Sequence, residues 1–297
     1  MHRPLRLLVS GLAAFSLLAA ASMTLAAHAP VGLGTADSFA VLGGQTVTNT
    51  GPSVISGSVG VSPGSAVTGF PPGLVNNGTI HAANATAAQA QLDLTTAYND
   101  AAGRSCTTDL TGQDLGGMTL TDGTYCFSSS AQLTGTLTLD AQGVSSAVFI
   151  FKIGSELTTA STSTVSLING AQACNVFWQV GSSAALGTAT TFRGSILALT
   201  SISLTTGATI VEGRALARNG SVTLDTNTIT RDTCRTPAPA ATAAPTATPT
   251  PSLPVVVPNT NVAGEVAAPM GSAPVIYAGL LVLAALSLTV ALRIRKR

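Results

Sequence analysis

Between residues 36 and 229 the apolar positions fall in short runs, alternating with polar residues or continuous for four to six positions, and each run is broken by Gly, Asn or Ser. Residues 39–42, 54–61, 133–139, 148–153, 176–180, 196–204 and 221–224 are examples, and their length and β-branched content predict strands. One segment has a different period. Residues 80–102 are rich in Ala and Gln, contain neither Gly nor Pro, and stop at Gly103. Their apolar positions Ala88, Leu92, Leu94, Ala97, Tyr98 and Ala101 predict a single amphipathic helix. The pattern is mainly β with one helix.

The strands repeat. Val148-Phe-Ile-Phe151, Val176-Phe-Trp178, Ile196-Leu-Ala-Leu199 and Ala215-Leu-Ala217 are each followed about ten residues later by a Thr-rich string. These strings are Thr159-Ala160-Ser161-Thr162, Thr188-Ala189-Thr190-Thr191, Thr206-Gly207-Ala208-Thr209 and Thr226-Asn227-Thr228-Ile229, and their starts are 29, 18 and 20 residues apart. A unit near 20 residues is too short for a propeller blade and suits one coil of a β-solenoid, the longer first interval carrying an inserted loop.

Both ends read as targeting segments. Arg3 and Arg6, the apolar run that follows and the Ala27-His28-Ala29 site predict a signal peptide over residues 1–29. Residues 274–292 carry no charge and precede Arg293-Ile294-Arg295-Lys296-Arg297, which predicts a single membrane-spanning helix with a basic cytoplasmic tail over 293–297. Residues 236–273, rich in Pro, Ala and Thr, form an extended stalk in this reading. Residues 30–235 are then an extracellular domain held at the cell membrane.

Composition narrows the functions open to that domain. Charged residues are only 8% of the chain and aromatics 4%. Between residues 30 and 273 seven Lys/Arg stand against twelve Asp/Glu, a net charge of −5, which excludes a nucleic-acid binder. Asp93 with Asp100, or Asp109 with Asp114, could be read as paired carboxylates, and helix or loop positions account for them without glycosidase chemistry. No catalytic constellation, cofactor motif or small-molecule site stands out. His81 is the one histidine left after a cut at Ala29, and no C-x-x-C is present, so a metal site has little support. Cys106, Cys126, Cys174 and Cys234 all fall in the exported domain, and an even number there favours two disulfides, with Cys106–Cys126 and Cys174–Cys234 the preferred pairing.

Ala36-Asp-Ser-Phe-Ala-Val-Leu-Gly-Gly44, Gly60-Val-Ser-Pro-Gly64, Gly69-Phe-Pro-Pro72, His81-Ala-Ala83, Leu94-Thr-Thr-Ala-Tyr-Asn-Asp100, Asn169-Gly-Ala171, Asn175-Val-Phe-Trp178 and Leu216-Ala-Arg218 together resemble the microbial ice-binding-like proteins. The resemblance covers residues 33–234. It implies a right-handed parallel β-helix of triangular section with a long helix alongside. It also implies adsorption to the ice crystal surface without a cofactor, and an ice face built on a Thr-(Ala/Gly)-x-(Thr/Asn) repeat. The first three Thr-rich strings fit that repeat and the last fits in part.

A stacked Thr strand suits such a role physically. Alternate residues of a strand lie about 6.6 Å apart and neighbouring strands about 4.7 Å, so repeated positions form a planar lattice of hydroxyls and methyls. Threonine's branched Cβ restricts χ1, so the lattice is ordered before it binds anything. On period two, Thr159 and Ser161, Thr188 and Thr190, Thr206 and Ala208, and Thr226 and Thr228 point outward together. Thr162, Thr191 and Thr209 fall on the other parity, at a corner or inside. The candidate ice-binding residues are therefore these eleven, with the Thr134-Gly135-Thr136 coil next in line. The competing reading is a structural or adhesive β-solenoid that binds a glycan or another cell, since Thr is a favoured strand residue in any setting.

Overall fold

The computed structural model describes residues 28–231. Two units are distinguished, Met1–Ala241 and Thr242–Arg297, and the described residues all belong to the first. The expected signal segment up to residue 27, the stalk, the span at 274–292 and the basic tail lie outside the described residues. Among the described residues no helix is long and apolar enough to cross a membrane.

The chain begins with two coils and a lone strand: β1 (Phe39–Gly43), β2 (Thr46–Thr50), β3 (Val54–Ser56), β4 (Ser58–Val61), β5 (Ala66–Thr68), β6 (Leu74–Asn76) and β7 (Ile80–Ala82). Helix α1 (Ala85–Gly103) follows. The remaining coils are β8 (Thr108–Asp109) and β9 (Thr119–Leu120); β10 (Gly123–Phe127), β11 (Ala131–Leu133) and β12 (Thr136–Asp140); β13 (Phe149–Ile153), β14 (Leu157–Thr159) and β15 (Thr164–Ile168); then β16 (Val176–Val180), β17 (Ala184–Leu186), β18 (Thr191–Ala198), β19 (Ile202–Leu204), β20 (Thr209–Ala217), β21 (Val222–Asp225) and β22 (Thr228–Thr230). Strands β18 and β20 each bend and serve two faces. The bend in β18 falls at Gly194, where φ is +94° and an added Cβ would lie 2.6 Å from the Val176 carbonyl oxygen.

All pairings are parallel, as the short repeat predicts. The coils do not stack in chain order, however. Strands β20, β21 and β22 of the last coil pair with β1, β2 and β3, so the N-terminal coils sit on the C-terminal end of the stack. Three ladders result. The first face holds β8, β10, β13, β16, the second halves of β18 and β20, β1, β4 and β7. The second holds β11, β14, β17, β19, β21, β2 and β5. The third holds β9, β12, β15, the first halves of β18 and β20, β22, β3 and β6.

Identical positions in successive coils make columns, and the inward columns are apolar. Ala131, Leu157, Ala184, Ile202, Val222 and Val47 are in register and buried. Inside the first face Tyr125, Phe151, Trp178 and Phe192 stack with ring centroids 5.5, 3.9 and 4.8 Å apart, and the Trp178 indole N–H donates to the Arg193 carbonyl at 3.0 Å. A second core lies between the first face and α1, where Leu94, Ala97 and Tyr98 meet Leu42, Ile150, Phe177, Leu197 and Leu216.

The helix is shorter than its Ala/Gln composition suggests. Residues 80–82 pair with β4 as a strand, Ala83 takes φ +49°, and Asn84 caps the helix by accepting from the Ala87 N–H at 3.0 Å. The buried stripe is Ala87, Ala90, Leu94, Ala97, Tyr98 and Ala101. Ala88 and Leu92 face water instead, Leu92 at 64% exposure.

Cys106 and Cys126 form the expected disulfide, with Cα atoms 5.9 Å apart, tying the segment after α1 to β10. Cys174 is also disulfide-bonded; its expected partner, Cys234, lies outside the described residues.

Candidate functional site

Among the described residues, two of the three faces are left uncovered. Helix α1 and the segment from Val31 to Ala36 cover the first, which leaves both sides of its strands buried. On the second face the outward central column runs Gln132, Thr158, Ala185, Ser203, Thr223, Thr48, Thr68. No charge interrupts it. The column before it includes Ser183, Ser201, Ser221 and Thr46, where the Thr46 hydroxyl donates to Ser221 Oγ at 2.8 Å and the Ser221 N–H to Ser201 Oγ at 3.1 Å. Asp114, bridged in register to Gln132 at the end of the central column, Glu156 and Asp225 carry the charge of this face, and Asp225 accepts from the hydroxyls of Thr206 and Thr226.

From the second face the chain turns onto the third through one residue with positive φ in each coil. These are Gly117, Gly135, Thr162, Ala189, Gly207, Thr226, Gly51 and Gly69, with φ between 50° and 90°. Glycine adopts this conformation without cost; Thr162 and Thr226 hold it as β-branched residues, with backbone bonds from the Thr162 N–H to Thr188 O (2.8 Å) and from the Thr226 N–H to Thr50 O (2.9 Å) across the corner.

In five coils a buried residue separates this corner from the third face: Ser163, Thr190, Ala208 and Asn227 directly after it, and Ser53 after the exposed Pro52; Thr136 follows Gly135 without such a step. Their polar groups are satisfied there. Thr190 Oγ1 lies 2.8 Å from Thr159 Oγ1, Ser163 Oγ donates to Leu133 O, and the Asn227 amide donates to Thr205 O and Ala208 O at 2.9 Å each.

The third face then opens with a ladder of five threonines in register, Thr136, Thr164, Thr191, Thr209 and Thr228, continued by Val54 and Leu74. Its next column carries Arg193, paired with Glu212 at 2.7 Å across an irregular step in the β18–β20 pairing.

This geometry corrects the residues expected to form the face. Thr159, Thr190 and Ala208 do not point outward; they are interior. Ser161, Thr162, Thr188, Thr206 and Thr226 are exposed, on the corner rather than on a strand. Thr191 and Thr209, half-buried, and Thr228, exposed, begin the third face. The Thr strings are also out of phase. Thr164, not Thr162, pairs with Thr191, and Thr228, not Ile229, pairs with Thr209. The equivalent segments are Ser161–Thr164, Thr188–Thr191, Thr206–Thr209 and Asp225–Thr228. The second-face residues Thr46, Thr48, Thr68, Thr158, Ser203 and Thr223 were missed. A signal for them exists in the polar–apolar alternation of Thr46-Val-Thr-Asn-Thr50, Ser201-Ile-Ser-Leu-Thr205 and Ser221-Val-Thr-Leu-Asp225.

The carboxylates are engaged locally. Asp93 accepts from the Thr35 N–H, Asp100 pairs with Arg104, Asp109 accepts from Thr111, and Asp114 accepts from the N–H groups of Gly116 and Thr134. Among the described residues no three His, Cys, Asp or Glu side chains gather into a metal site.

The Ice-binding-like family model matches residues 41–230 of the chain. The protein belongs to that family. An ice-binding protein of Nostoc sp. (strain HG1) is 64% identical over 197 residues, 66% of this chain and 72% of the relative. One from Colwellia sp. is 38% identical over 68% of this chain and 84% of its own length. Among solved structures, the ice binding protein from an Antarctic Biological Consortium is 50% identical, with a TM-score of 0.66 over 69% of this chain and 92% of that one. The protein from the Antarctic ascomycete Antarctomyces psychrotrophicus is 42% identical, with a TM-score of 0.67 over 69% and 99%. The ice-binding-like match begins within β1 and ends within β22, so it takes in the entire second face together with the helix that covers the first.

Proposed function

We propose that this protein adsorbs to ice through the second face of its solenoid, without any chemical step. The observation that carries the reading is the seven-strand, in-register column Gln132–Thr158–Ala185–Ser203–Thr223–Thr48–Thr68, free of charge between its end at Asp114 and Thr68 and not covered by the helix. Parallel strands about 4.8 Å apart and side chains about 6.6 Å apart along each strand give a regular net of small hydroxyl and methyl groups. Such groups hold water in ordered positions, whereas a charge would keep its own hydration shell. The exposed corner residues Ser161, Thr162, Thr188, Thr206 and Thr226 form its rim. The third face is the poorer candidate because Arg193, Glu212 and Asp140 break it. The relatives from Nostoc and Colwellia, both ice-binding proteins, support the same function.

The test is a set of tyrosine substitutions on purified protein, read as ice shaping and freezing-point hysteresis. Ser203→Tyr and Thr223→Tyr place a ring in the centre of the net on adjacent coils and should abolish most activity while changing stability by less than about 0.5 kcal/mol, since both sites are exposed strand positions. Thr96→Tyr, on the exposed side of α1, should leave activity intact. Thr190→Tyr is not a test of the face, because Thr190 is buried and hydrogen-bonded. Full activity in folded Ser203→Tyr and Thr223→Tyr would place the ice contact elsewhere.

We further infer an exported domain held at the cell membrane, supported by the apolar run behind Arg3 and Arg6 and by the uncharged 274–292 segment before the basic tail. The full chain should fractionate with membranes, and deletion of residues 274–297 should release it to the medium. A soluble full-length protein would remove the anchor.

A further inference from the structure

The A-x-A pattern Ala27-His28-Ala29 places the export cut at the Ala29–Pro30 bond. Two observations speak against that bond. Its nitrogen belongs to a proline, so it carries no hydrogen, and the pyrrolidine ring crowds the scissile carbonyl and restricts the residue before it. A peptidase that binds extended backbone and must protonate the leaving nitrogen is poorly matched to such a bond. The second observation is structural. His28, which that cut would discard, is docked: its Nδ1 lies 2.8 Å from Asp122 Oδ2, with both side chains about two-thirds shielded.

The dock is built from the fold. Asp122 stands between β9 and β10, and its other oxygen, Oδ1, accepts the Val148 N–H at 2.6 Å, so the carboxylate is aimed by the backbone of the next coil. From His28 the chain runs as a strap. Pro30 to Gly34 border one hollow with Asn175, Phe177 and Arg214, while Val31 and Leu33 are buried in the core under α1. The strap ends at Asp37, which accepts from Arg214 Nη2 at 2.7 Å on β20. It therefore crosses from the coil of β10 to the coil of β20, and His28–Asp122 is its outer fixed point.

We propose that the leader is removed on the N-terminal side of His28, at the Ala27–His28 bond, and that the retained His28 anchors the strap at Asp122. This rests on the leader reading given above. Ala27 supplies the small residue before the cut, and Leu25 an uncharged one at the third position before it. A membrane signal peptidase hydrolyses the bond with one water: the Ala27 carbonyl carbon takes the hydroxyl and becomes a carboxylate, and the His28 nitrogen takes the proton and leaves as the α-amine. The mature chain then has two histidines among its described residues, His28 and His81.

N-terminal peptide mapping of the full chain exported by a host that processes leaders decides the matter. A chain starting at His28 supports the proposal, and one starting at Ala27 or at an earlier residue after Met1 overturns the assigned bond. A start at Ala29, Pro30 or beyond overturns it while leaving the leader intact, and a start at Met1 overturns the leader reading and the proposal together. The docking is tested on the same protein by treatment with a broad aminopeptidase. Loss of His28 should be several-fold faster in Asp122→Asn, which keeps an oxygen for the Val148 N–H but weakens the tie to the ring. Equal trimming of wild type and variant removes the anchoring role.

Discussion

At the residue scale, the proposed ice face is defined as much by the charges it lacks as by its threonines, and Asp225 is one exception. It is in register with Thr50, the outward end of Thr46-x-Thr48-x-Thr50, so a threonine there would extend the net across one more coil. Its carboxylate instead collects the hydroxyls of Thr206 and Thr226. Two corner hydroxyls are thus turned toward a charge and away from water. Asp225→Thr should free both and raise freezing-point hysteresis above wild type. The cost is the two hydrogen bonds, about 1–2 kcal/mol of stability, since partly exposed bonds to a carboxylate contribute modestly. The backbone tie from the Asp225 N–H to Asn227 Oδ1 is unaffected by the change. Hysteresis that falls or stays level in folded Asp225→Thr shows that the carboxylate is neutral or helpful at the rim.

Elements are held by a few polar ties whose strength depends on pH. Asp93 on α1 accepts the Thr35 N–H at 2.7 Å and the Gln89 amide at 2.9 Å, and the Thr35 bonds, foremost the backbone one, hold its carboxyl below the usual carboxylate value. A depressed native pKa contributes stability that is present above the unfolded value near 4 and is lost as pH falls through the native value. Asp93→Asn should therefore lower the melting temperature at pH 6–7, and the gap to wild type should close as pH drops toward 2. A gap independent of pH assigns the tie to shape rather than charge.

The same elements show what was legible beforehand. Strand runs and a solenoid period were readable because inward columns must be apolar in every coil. The helix was readable from its Ala/Gln composition, but its start was set by Asn84 and by the pairing of residues 80–82 with β4, a contact distant in space from anything periodicity records. The Thr strings misled because matching letters were aligned instead of pleats. Leu157-x-Thr159 stands where Ala184-x-Leu186 and Ile202-x-Leu204 stand, so Thr159 takes a core position and hydrogen-bonds inside it. The corner residue with positive φ, which breaks the period of two between faces, carries no signature beyond Gly in five of the eight coils.

For the whole molecule, the notable fact is that the second face, the proposed ice face, is assembled from strands that come both before and after the helix in the chain. Thr46, Thr48, Thr50 and Thr68 belong to coils made first, and Thr223, Ser203, Ala185 and Thr158 to coils made after the helix has returned along the first face. The two sets meet only where β21 pairs with β2, flanked by β20–β1 and β22–β3. In a stack where each coil contacts mainly its neighbours, stability is close to a sum of such interfaces, and a weakened one opens locally. Asp37 guards this seam. It binds Arg214, whose side chain is only 3% exposed, and lies 3.7 Å from Arg231, so its removal strips a buried guanidinium of a charged partner. Asp37→Ala should cost about 2–3 kcal/mol, the range for hydrogen bonds to charged groups, and lower the melting temperature by roughly 4–12 °C for a domain of this size. The loss should be local: amide hydrogen exchange in β1, β2 and β3 should accelerate strongly, while β13, β14 and β15, three coils below, change little. Uniform acceleration through the stack would show instead that the solenoid opens as one unit and that the junction of its two ends is no weaker than any other.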